Sequence, residues 1–327
     1  MDIKELEKLK LEYKEKINIL NNPFGIEIEF SGAYFNMISE KILELFGYPS
    51  IEAVWNKKEN RLEFDYQKWS LVNDATVQVY SKINRNQKMG GEIKSPIMTN
   101  SKKCWEELRQ ICNMLKQAEN IEINGNCSIH IHTDKHIYTN IKEYINLLKL
   151  WMIYEDIIYK FSYGETNSPR TLLTRFAKPI SYYIYENLEK LNSIETEYEL
   201  LQFLNFERKN GINLRNIIND TIKQTIEIRT YNGTINEKII QNEILFNQNL
   251  IEYAKIENFD QEYIDYKIKN YEPIFLNSSI IEHKEKAEEL AHMIFKKELD
   301  ILYFLKQYYK AYNEDDIEKT IHLWYYH

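Results

Sequence analysis

Three short segments of the chain alternate between apolar and polar residues, and this alternation limits the folds open to it. The segments are GIEIEF at 25–30, CSIHIHTD at 127–134 and TIEIRT at 225–230. Successive side chains of a β-strand point to opposite faces, so each segment would place its isoleucines on one face and its charged residues on the other. The pattern predicts strands of a sheet with one buried face and one polar face.

Longer segments around these strands carry apolar residues at helical spacing. The spacing predicts helices over 2–20, 36–47, 101–119, 140–162 and 237–256, a helical tail over about 284–325, and short strands between 51 and 95. There is no GxGxxG after the first strand and no Walker A motif, which argues against a parallel nucleotide-binding sheet. Short strands in groups with long helices between them indicate an α+β fold with a mostly antiparallel sheet.

The polar face predicted for these strands carries carboxylates and imidazoles. Solvation of an exposed sheet face is one interpretation, since any half-buried strand alternates in this way. Convergence on a cation is the other, because two carboxylates about 4 Å apart repel by roughly 4 kcal/mol at an effective dielectric near 20. Glutamate oxygens with a histidine suit Mg²⁺ or Mn²⁺. The residues concerned are Glu27, Glu29, Glu92, His130, His132, Glu227 and Arg229.

Composition and charge argue against several classes of function. The formal net charge of −8 disfavours a non-specific nucleic-acid binder, which needs a basic surface. No run approaches the roughly 18 apolar residues of a membrane span. The first twenty residues mix Lys and Glu without the apolar centre of a signal peptide. Three cysteines form no paired framework, so the cytosol is the expected location.

Six sequence blocks, taken together, carry a resemblance to a known family. In order they are GIEIEF, WSLVNDATV (69–77), GGEIKSPIM (90–98), CSIHIHTD, RFA (175–177) and TIEIRTYNGT (225–234). They resemble the amidoligase family, ATP-dependent carboxylate–amine ligases similar to glutamine synthetase and glutamate–cysteine ligase. The resemblance implies a curved, mostly antiparallel sheet of the glutamine synthetase catalytic-domain type, with helices packed on its convex face. It also implies ATP and magnesium, or manganese, on the concave face.

The resemblance further implies an activity and roles for single residues. The activity is amide-bond formation between a carboxylate and an amine, each a small molecule or a peptide, through an acyl phosphate. We expect a catalytic domain at 21–256, preceded by the helix at 1–20 and followed by a helical extension at 257–327. The implied metal ligands are Glu27, Glu29, Glu92, His130 and Glu227, with His132 facing the nucleotide phosphates, Arg229 and Arg175 holding phosphate or carboxylate, and Asp74 a candidate proton acceptor.

Two positions differ from the family pattern, and two other functions stay open. Ser128 stands where glycine is usual before the HxH pair, and Ala75 stands where glycine is common after Asp74.

HIHTDKH is close to the HxHxDH motif of metallo-β-lactamase-like zinc hydrolases, although Lys135 separates the aspartate from the next histidine. A non-catalytic nucleotide-binding or scaffold relative on the same fold is the second alternative. Substrate specificity is expected to depend on segments 51–66 and 163–215.

Overall fold

The computed structural model of the protein describes residues 22–48, 54–56, 61–63, 66–80, 88–171, 173–218, 224–272 and 284–310. The helix predicted over 2–20 lies outside these residues, as does the predicted tail beyond residue 310. Much of the segment 51–66, predicted to affect specificity, lies outside them too.

The described strands form a main antiparallel sheet. Its order is β4-β6-β1-β7-β9-β8, with β5 paired to the other end of β6, and each of these pairings is antiparallel. A separate pair is formed by β2 and β3. The strands are β1 (Phe24–Tyr34), β2 (Val54–Asn56), β3 (Arg61–Glu63), β4 (Ser70–Val72), β5 (Val79–Tyr80), β6 (Lys88–Lys94), β7 (Ser128–Asp134), β8 (Ile212–Asn213) and β9 (Thr225–Asn232).

The α-helices confirm the helical spacing found in the sequence, and the α+β class with its antiparallel sheet is confirmed with them. The predicted tail forms two helices within the described residues. None of the helices described combines the length and hydropathy that a membrane crossing requires. The helices are α1 (Phe35–Phe46), α2 (Lys102–Gln117), α3 (Ile141–Phe161), α4 (Leu173–Phe176), α5 (Ser181–Glu186), α6 (Leu188–Asn192), α7 (Glu197–Phe203), α8 (Glu237–Tyr253), α9 (Gln261–Lys269), α10 (Lys284–Ile294) and α11 (Glu298–Tyr308).

The hydrophobic core lies between the apolar face of the sheet and the long helices. Ile26, Ile28, Ile129, Ile131 and Ile228 are all buried on this face, and helices α1, α3 and α8 pack against the strands. Burial of several isoleucine side chains, worth about 1.5 to 3 kcal/mol each, favours the strand register that keeps them together. The same register must then turn the charged residues of these strands to the opposite face.

Helix α3 is buried along almost its whole length, so its polar side chains need partners. The Asn140 side chain accepts a hydrogen bond at its first turn, and Glu143 reaches back to the Asn140 N–H in a capping box. Further along, Glu155 accepts hydrogen bonds from Trp151 Nε1 and from the backbone N–H groups of Ile180 and Ser181 at 2.7, 2.8 and 2.9 Å. These bonds tie the start of α5 to α3.

The C-terminal helices pack on the body formed by the long helices. Helices α9, α10 and α11 all contact α3, and α10 and α11 also contact α8. Lys286 Nζ in α10 lies 2.6 Å from Asp156 Oδ1 in α3. Lys267 in α9 pairs with Glu289 in α10 at 2.9 Å. A division of the chain at residue 256 stays a prediction.

Candidate carboxylate–histidine site

The register of β6, β1 and β7 brings polar residues from three strands together. Glu27, in the middle of β1, pairs with Lys94 on one side and with His130 on the other. Two residues further along β1, Glu29 pairs with Glu92. Because residues two apart on a strand share a face, these five side chains belong to one face of the sheet.

Strands β9 and β8 extend the same cluster. His132 of β7 pairs with Glu227 of β9, and Glu227 pairs with Asn213 of β8. The β7–β9 register shifts between Ile129 and Ile131. Pairing of distant strands therefore joins polar residues that lie about two hundred positions apart in the chain.

A cavity of about 560 Å³ covers this face. Of the predicted site residues, Arg175 does not line it: that side chain is exposed, with its guanidinium 5.3 Å from the Phe176 ring centroid. The lining residues are Glu27, Glu29, Asp74, Thr76, Glu92, Lys94, Asn126, Ser128, His130, His132, Arg170, Phe176, Arg208, Asn213, Arg215, Asn216, Glu227 and Arg229.

Glu27 lies at the centre of the cluster and contacts three cationic or imidazole groups. Its Oε1 accepts a hydrogen bond from Lys94 Nζ at 2.8 Å and lies 3.3 Å from His132 Nε2. Its Oε2 lies 3.2 Å from His130 Nδ1. Lys94 Nζ also lies 3.2 Å from Glu92 Oε1. Sequence reasoning missed Lys94, although its position two residues after Glu92 places it on the same strand face.

Ser128 shows what replaces glycine at the start of the HxH strand. Its N–H and its hydroxyl each lie 2.7 Å from Glu29 Oε2. The hydroxyl oxygen is also 3.0 Å from His130 Nε2. The hydroxyl therefore links a carboxylate of β1 to an imidazole of β7, which a glycine could not do.

Two groups hold Glu227 by hydrogen bonds at the β9 side of the cluster. Arg229 Nη1 donates to its Oε1, and Asn213 Nδ2 donates to its Oε2 at 2.6 Å. Arg229 is itself oriented by a hydrogen bond from its Nε to the carbonyl of Phe176 at 3.2 Å. His130 Nδ1 lies 3.8 Å from Glu227 Oε1. The carboxylate is thus fixed within reach of both histidines.

Burial and neighbouring charges set the protonation of this cluster. Burial, together with the charge of Glu27, holds the pKa of Glu92 well above its usual value. Burial and the nearby Arg229 lower the pKa of His130, which favours the neutral imidazole that a metal ion requires. Burial would raise the pKa of Glu227, but His132, Arg229 and His130 outweigh it and lower that pKa.

Two groups of side chains in the cluster fit a divalent cation. Within each group, one donor atom per residue lies within 4.8 Å of the others. Buried His132 Nε2 has no hydrogen-bond partner and lies 3.3 Å from Glu27 Oε1 and 3.9 Å from Glu227 Oε1. Carboxylate oxygens with a neutral imidazole suit Mg²⁺ or Mn²⁺. The first group is Glu27, His132 and Glu227, and the second group is Glu27, Glu92 and His130.

Three arginines that sequence reasoning missed line the same cavity: Arg170, Arg208 and Arg215. Arg170 is only 6% exposed; its Nη2 donates to the Arg229 carbonyl at 3.1 Å, and its Nε has no hydrogen-bond partner. Burial lowers the pKa of Arg170 to about 10. Arg170 forms no ion pair with a carboxylate in the described part of the chain. Arg170 and Arg208 lie in irregular segments between α3 and β9, and Arg215 begins a one-turn 3-10 helix, so no periodicity signals them.

A smaller cavity of about 290 Å³ adjoins the first one. Apolar groups of Phe24, Tyr66, Pro96 and Ile97 contribute to its lining. Both cavities share the residues Glu27, Lys94 and His132. A ligand in the smaller cavity would therefore reach the carboxylate–histidine cluster from the end of the sheet where β1 and β9 begin.

The zinc-hydrolase interpretation of HIHTDKH finds no support in this geometry. His136 Nδ1 lies 2.7 Å from Asp134 Oδ1, and both groups are outside the two cation-binding groups. Cys127, which precedes β7, is buried. Burial raises the pKa of the Cys127 thiol to about 12, so the thiolate that a nucleophile needs is not formed near neutral pH.

This is an α+β protein with an antiparallel sheet, and one cavity beside that sheet is lined by carboxylates, histidines and arginines. A family model described as "Putative amidoligase enzyme" matches residues 21–251. The chain belongs to the amidoligase family, which confirms the family indicated by the six blocks.

The chain was also compared with curated proteins and solved structures. No curated protein matches it. The solved structure of a bifunctional glutathione synthetase from Pasteurella multocida is similar over 98% of this chain and 48% of its own, with 12% sequence identity and a TM-score of 0.40. The chain thus spans about half the length of that protein.

Proposed function

We propose that the protein is an ATP- and magnesium-dependent ligase that joins a carboxylate to an amine through an acyl phosphate. One observation carries the proposal: Glu27, His130, His132 and Glu227 converge on one cavity wall in a member of the amidoligase family. We propose with it that the sheet is of the glutamine synthetase catalytic-domain type, that the catalytic domain spans 21–256, and that the protein acts in the cytosol.

The carboxylate–histidine cluster is the part of the site that would hold the cation. Glu27, His132 and Glu227 have the donor set for it, and Glu29, Glu92 and His130 lie beside them. A bound Mg²⁺, or Mn²⁺, would neutralise the charge of phosphate oxygens during phosphoryl transfer.

The arginines across the cavity are the part of the site that would hold anions. A planar guanidinium binds a carboxylate or a phosphate through two parallel hydrogen bonds. Arg229 lies at the boundary of the two parts, paired with Glu227. Arg170, which donates a hydrogen bond to the Arg229 carbonyl, lines the cavity together with Arg208 and Arg215. We assign these four arginines to the ATP phosphates and the substrate carboxylate.

Activation and amide formation then follow as two displacements. An oxygen of the substrate carboxylate attacks the γ-phosphorus of ATP, and ADP leaves with the electrons of the broken P–O bond. The amine nitrogen attacks the acyl carbon, inorganic phosphate leaves, and the amine gives up a proton. Asp74 lines the cavity, and its Oδ1 accepts hydrogen bonds from Thr76 N and Oγ1 at 2.8 and 2.7 Å, which hold the carboxylate in place. We assign proton acceptance to Asp74.

An assay with a generic nucleophile tests this function before the natural amine is known. Purified protein is incubated with ATP, Mg²⁺, a library of carboxylates and hydroxylamine, and the products ADP, phosphate and hydroxamate are measured. A carboxylate that gives all three in equal amounts supports the ligase, since hydroxylamine traps an activated acyl group. Glu29→Ala and Arg229→Ala are expected to abolish this turnover, while Lys103→Gln, at an exposed position of α2, should retain it. Unchanged turnover in both site variants contradicts the assignment, and absent ATP–Mg²⁺ binding in calorimetry indicates a non-catalytic relative.

A further inference from the structure

Asn232, at the end of β9, directs both ends of its side-chain amide to one loop. It is buried, with 7% of its surface exposed, and it lines neither of the two cavities described above. Its Nδ2 donates hydrogen bonds to Thr166 Oγ1 and to the Ser168 carbonyl, each at 2.9 Å. Its Oδ1 accepts a hydrogen bond from the Arg170 N–H at 2.8 Å. One side chain of the sheet thus holds three positions of the loop.

The loop covers residues 162–171, between α3 and α4, and its middle part is in contact with solvent. Residues 165–169 are all exposed, so little apolar burial fixes their conformation. The backbone N–H of Asn232 also donates to the Ser162 carbonyl at 2.9 Å, where the loop leaves α3. The loop is therefore attached to β9 both at its start and at Arg170.

Strand β9 holds Arg170 at two points. The Arg170 N–H is bonded to the Asn232 side chain, and Arg170 Nη2 donates to the Arg229 carbonyl at 3.1 Å. Arg170 is only 6% exposed and lines the cavity of about 560 Å³, yet its buried Nε has no hydrogen-bond partner among the described residues. Buried polar groups are normally paired, and a guanidinium pairs with an oxyanion through parallel hydrogen bonds. An oxyanion of a ligand would supply the partner that Arg170 lacks.

The residue after Asn232 explains why an Asn-Gly pair ends this strand. The Gly233 N–H donates to the Cys127 carbonyl at 2.9 Å, and a Cβ at Gly233 would lie only 2.6 Å from Cys127 Cβ. Glycine therefore permits the close approach of β9 to the residue before β7. Asn232 itself pairs with Ser128, whose hydroxyl bonds to Glu29. The Asn-Gly pair thus belongs to the structure around the cavity.

We propose that Asn232 is a positioning residue: it holds the loop so that Arg170 binds an oxyanion of a substrate, either the carboxylate or a phosphate of ATP. The inference rests on the proposed function and deepens it, because it gives a side chain outside the cavity a role in substrate binding. Loss of the Asn232 amide would release the exposed part of the loop and leave the Arg170 guanidinium with only its bond to Arg229. Asn232 therefore acts on the anion through Arg170 alone.

A double-mutant cycle in the hydroxamate assay tests the inference with the full-length protein. Asn232→Ala should raise the same KM as Arg170→Gln, that for ATP or that for the carboxylate, by about tenfold or more, with a smaller change in kcat. The double variant should show a KM close to that of Arg170→Gln alone, because the two residues act as one unit. Asn146→Ala is the matched control: Asn146 is also 7% exposed, and its Nδ2 donates to the Ala254 carbonyl at 3.1 Å, away from the cavity. It should lower stability but leave both KM values unchanged.

A milder variant decides the matter even if Asn232→Ala does not fold. Thr166→Val, at an exposed position, removes one acceptor of the Asn232 amide and should raise the same KM by a smaller factor. Unchanged KM values in these variants, or effects that multiply in the double variant, overturn the role of Asn232 but leave the proposed ligase intact.

Hydrogen exchange of the ligand-free protein tests the contact without any substrate. Peptides covering 162–171 should exchange about tenfold faster or more in Asn232→Ala than in the wild type and in Asn146→Ala. Equal exchange rates would mean that other contacts hold Arg170, and the role of Asn232 is then wrong. A wild type that gives no hydroxamate with any carboxylate contradicts the ligase instead, whatever the exchange rates are.

Discussion

The N–H and the hydroxyl of Ser128 both donate to the same carboxylate oxygen of Glu29, each at 2.7 Å. Glu29 lies on β1 and Ser128 on β7, so the two hydrogen bonds connect neighbouring strands and hold the Glu29 carboxylate in place. The same hydroxyl reaches His130 Nε2 at 3.0 Å. A residue beside the cluster thus orients two of its members, much as outer hydrogen bonds orient metal ligands elsewhere.

The variant Ser128→Ala should show whether the orientation of Glu29 and His130 matters for turnover more than for the stability of the fold. The variant keeps the backbone bond to Glu29 and loses the hydroxyl, so we expect a loss of about 1 kcal/mol in the free energy of unfolding. Turnover in the hydroxamate assay should fall by about tenfold or more, since misoriented ligands weaken both metal binding and catalysis. Urea denaturation and steady-state kinetics measure the two effects. Undiminished turnover would show that Glu29 and His130 do not depend on the hydroxyl.

Arg170 and Arg175 provide a direct comparison between structure and sequence pattern. Arg170 is buried in the cavity wall, whereas Arg175 is exposed outside it. We expect Arg170→Gln to raise the KM for ATP or for the carboxylate by about tenfold or more. Arg175→Gln should have a much smaller effect on either constant. The reverse order would favour the role that the RFA block implies for Arg175.

Glu155→Ala should destabilise the protein without touching the cavity. The carboxylate accepts hydrogen bonds from Trp151, Ile180 and Ser181, and its loss leaves these buried donors unpaired. The expected decrease in the free energy of unfolding is about 2 to 4 kcal/mol. Chemical denaturation measures it, with exposed Glu189→Ala as the control. A change no larger than that of the control would mean that the segment around α5 is held by other contacts.

Asp300 gives stability a defined pH dependence. Burial raises the pKa of Asp300 from its ordinary value to about 6. Between its ordinary pKa and this raised value the folded state binds more protons than the unfolded state, so the contribution of Asp300 to stability falls as pH rises through that window. The variant Asp300→Asn has no carboxyl group at this position, so it should not lose stability as the pH rises through that window. The free energy of unfolding of the variant should exceed that of the wild type by roughly 1 to 2 kcal/mol near pH 7.5 and should equal it near pH 3.5. Denaturation at the two pH values provides the check, and an equal difference at both contradicts the assignment.

The alternation of the three segments was sufficient to predict which side chains share a face. A strand has a period of two whatever its surroundings, so Glu27 with Glu29, His130 with His132 and Glu227 with Arg229 follow from local geometry. Helical spacing predicted α1, α2, α3 and α8 in the same way. Block order indicated the family, which the match over residues 21–251 confirms.

Only the tertiary structure decided which strands are neighbours and which residues from irregular segments join them. β1 lies between β6 and β7, and this order places Lys94 and His130 on either side of Glu27. Arg170 has no periodic neighbours to signal that it lines the cavity, and the one-turn helix α4 leaves Arg175 outside it while Phe176 lines the cavity. Side-chain direction along a strand is a local property, whereas strand order and loop position depend on burial summed over the whole chain.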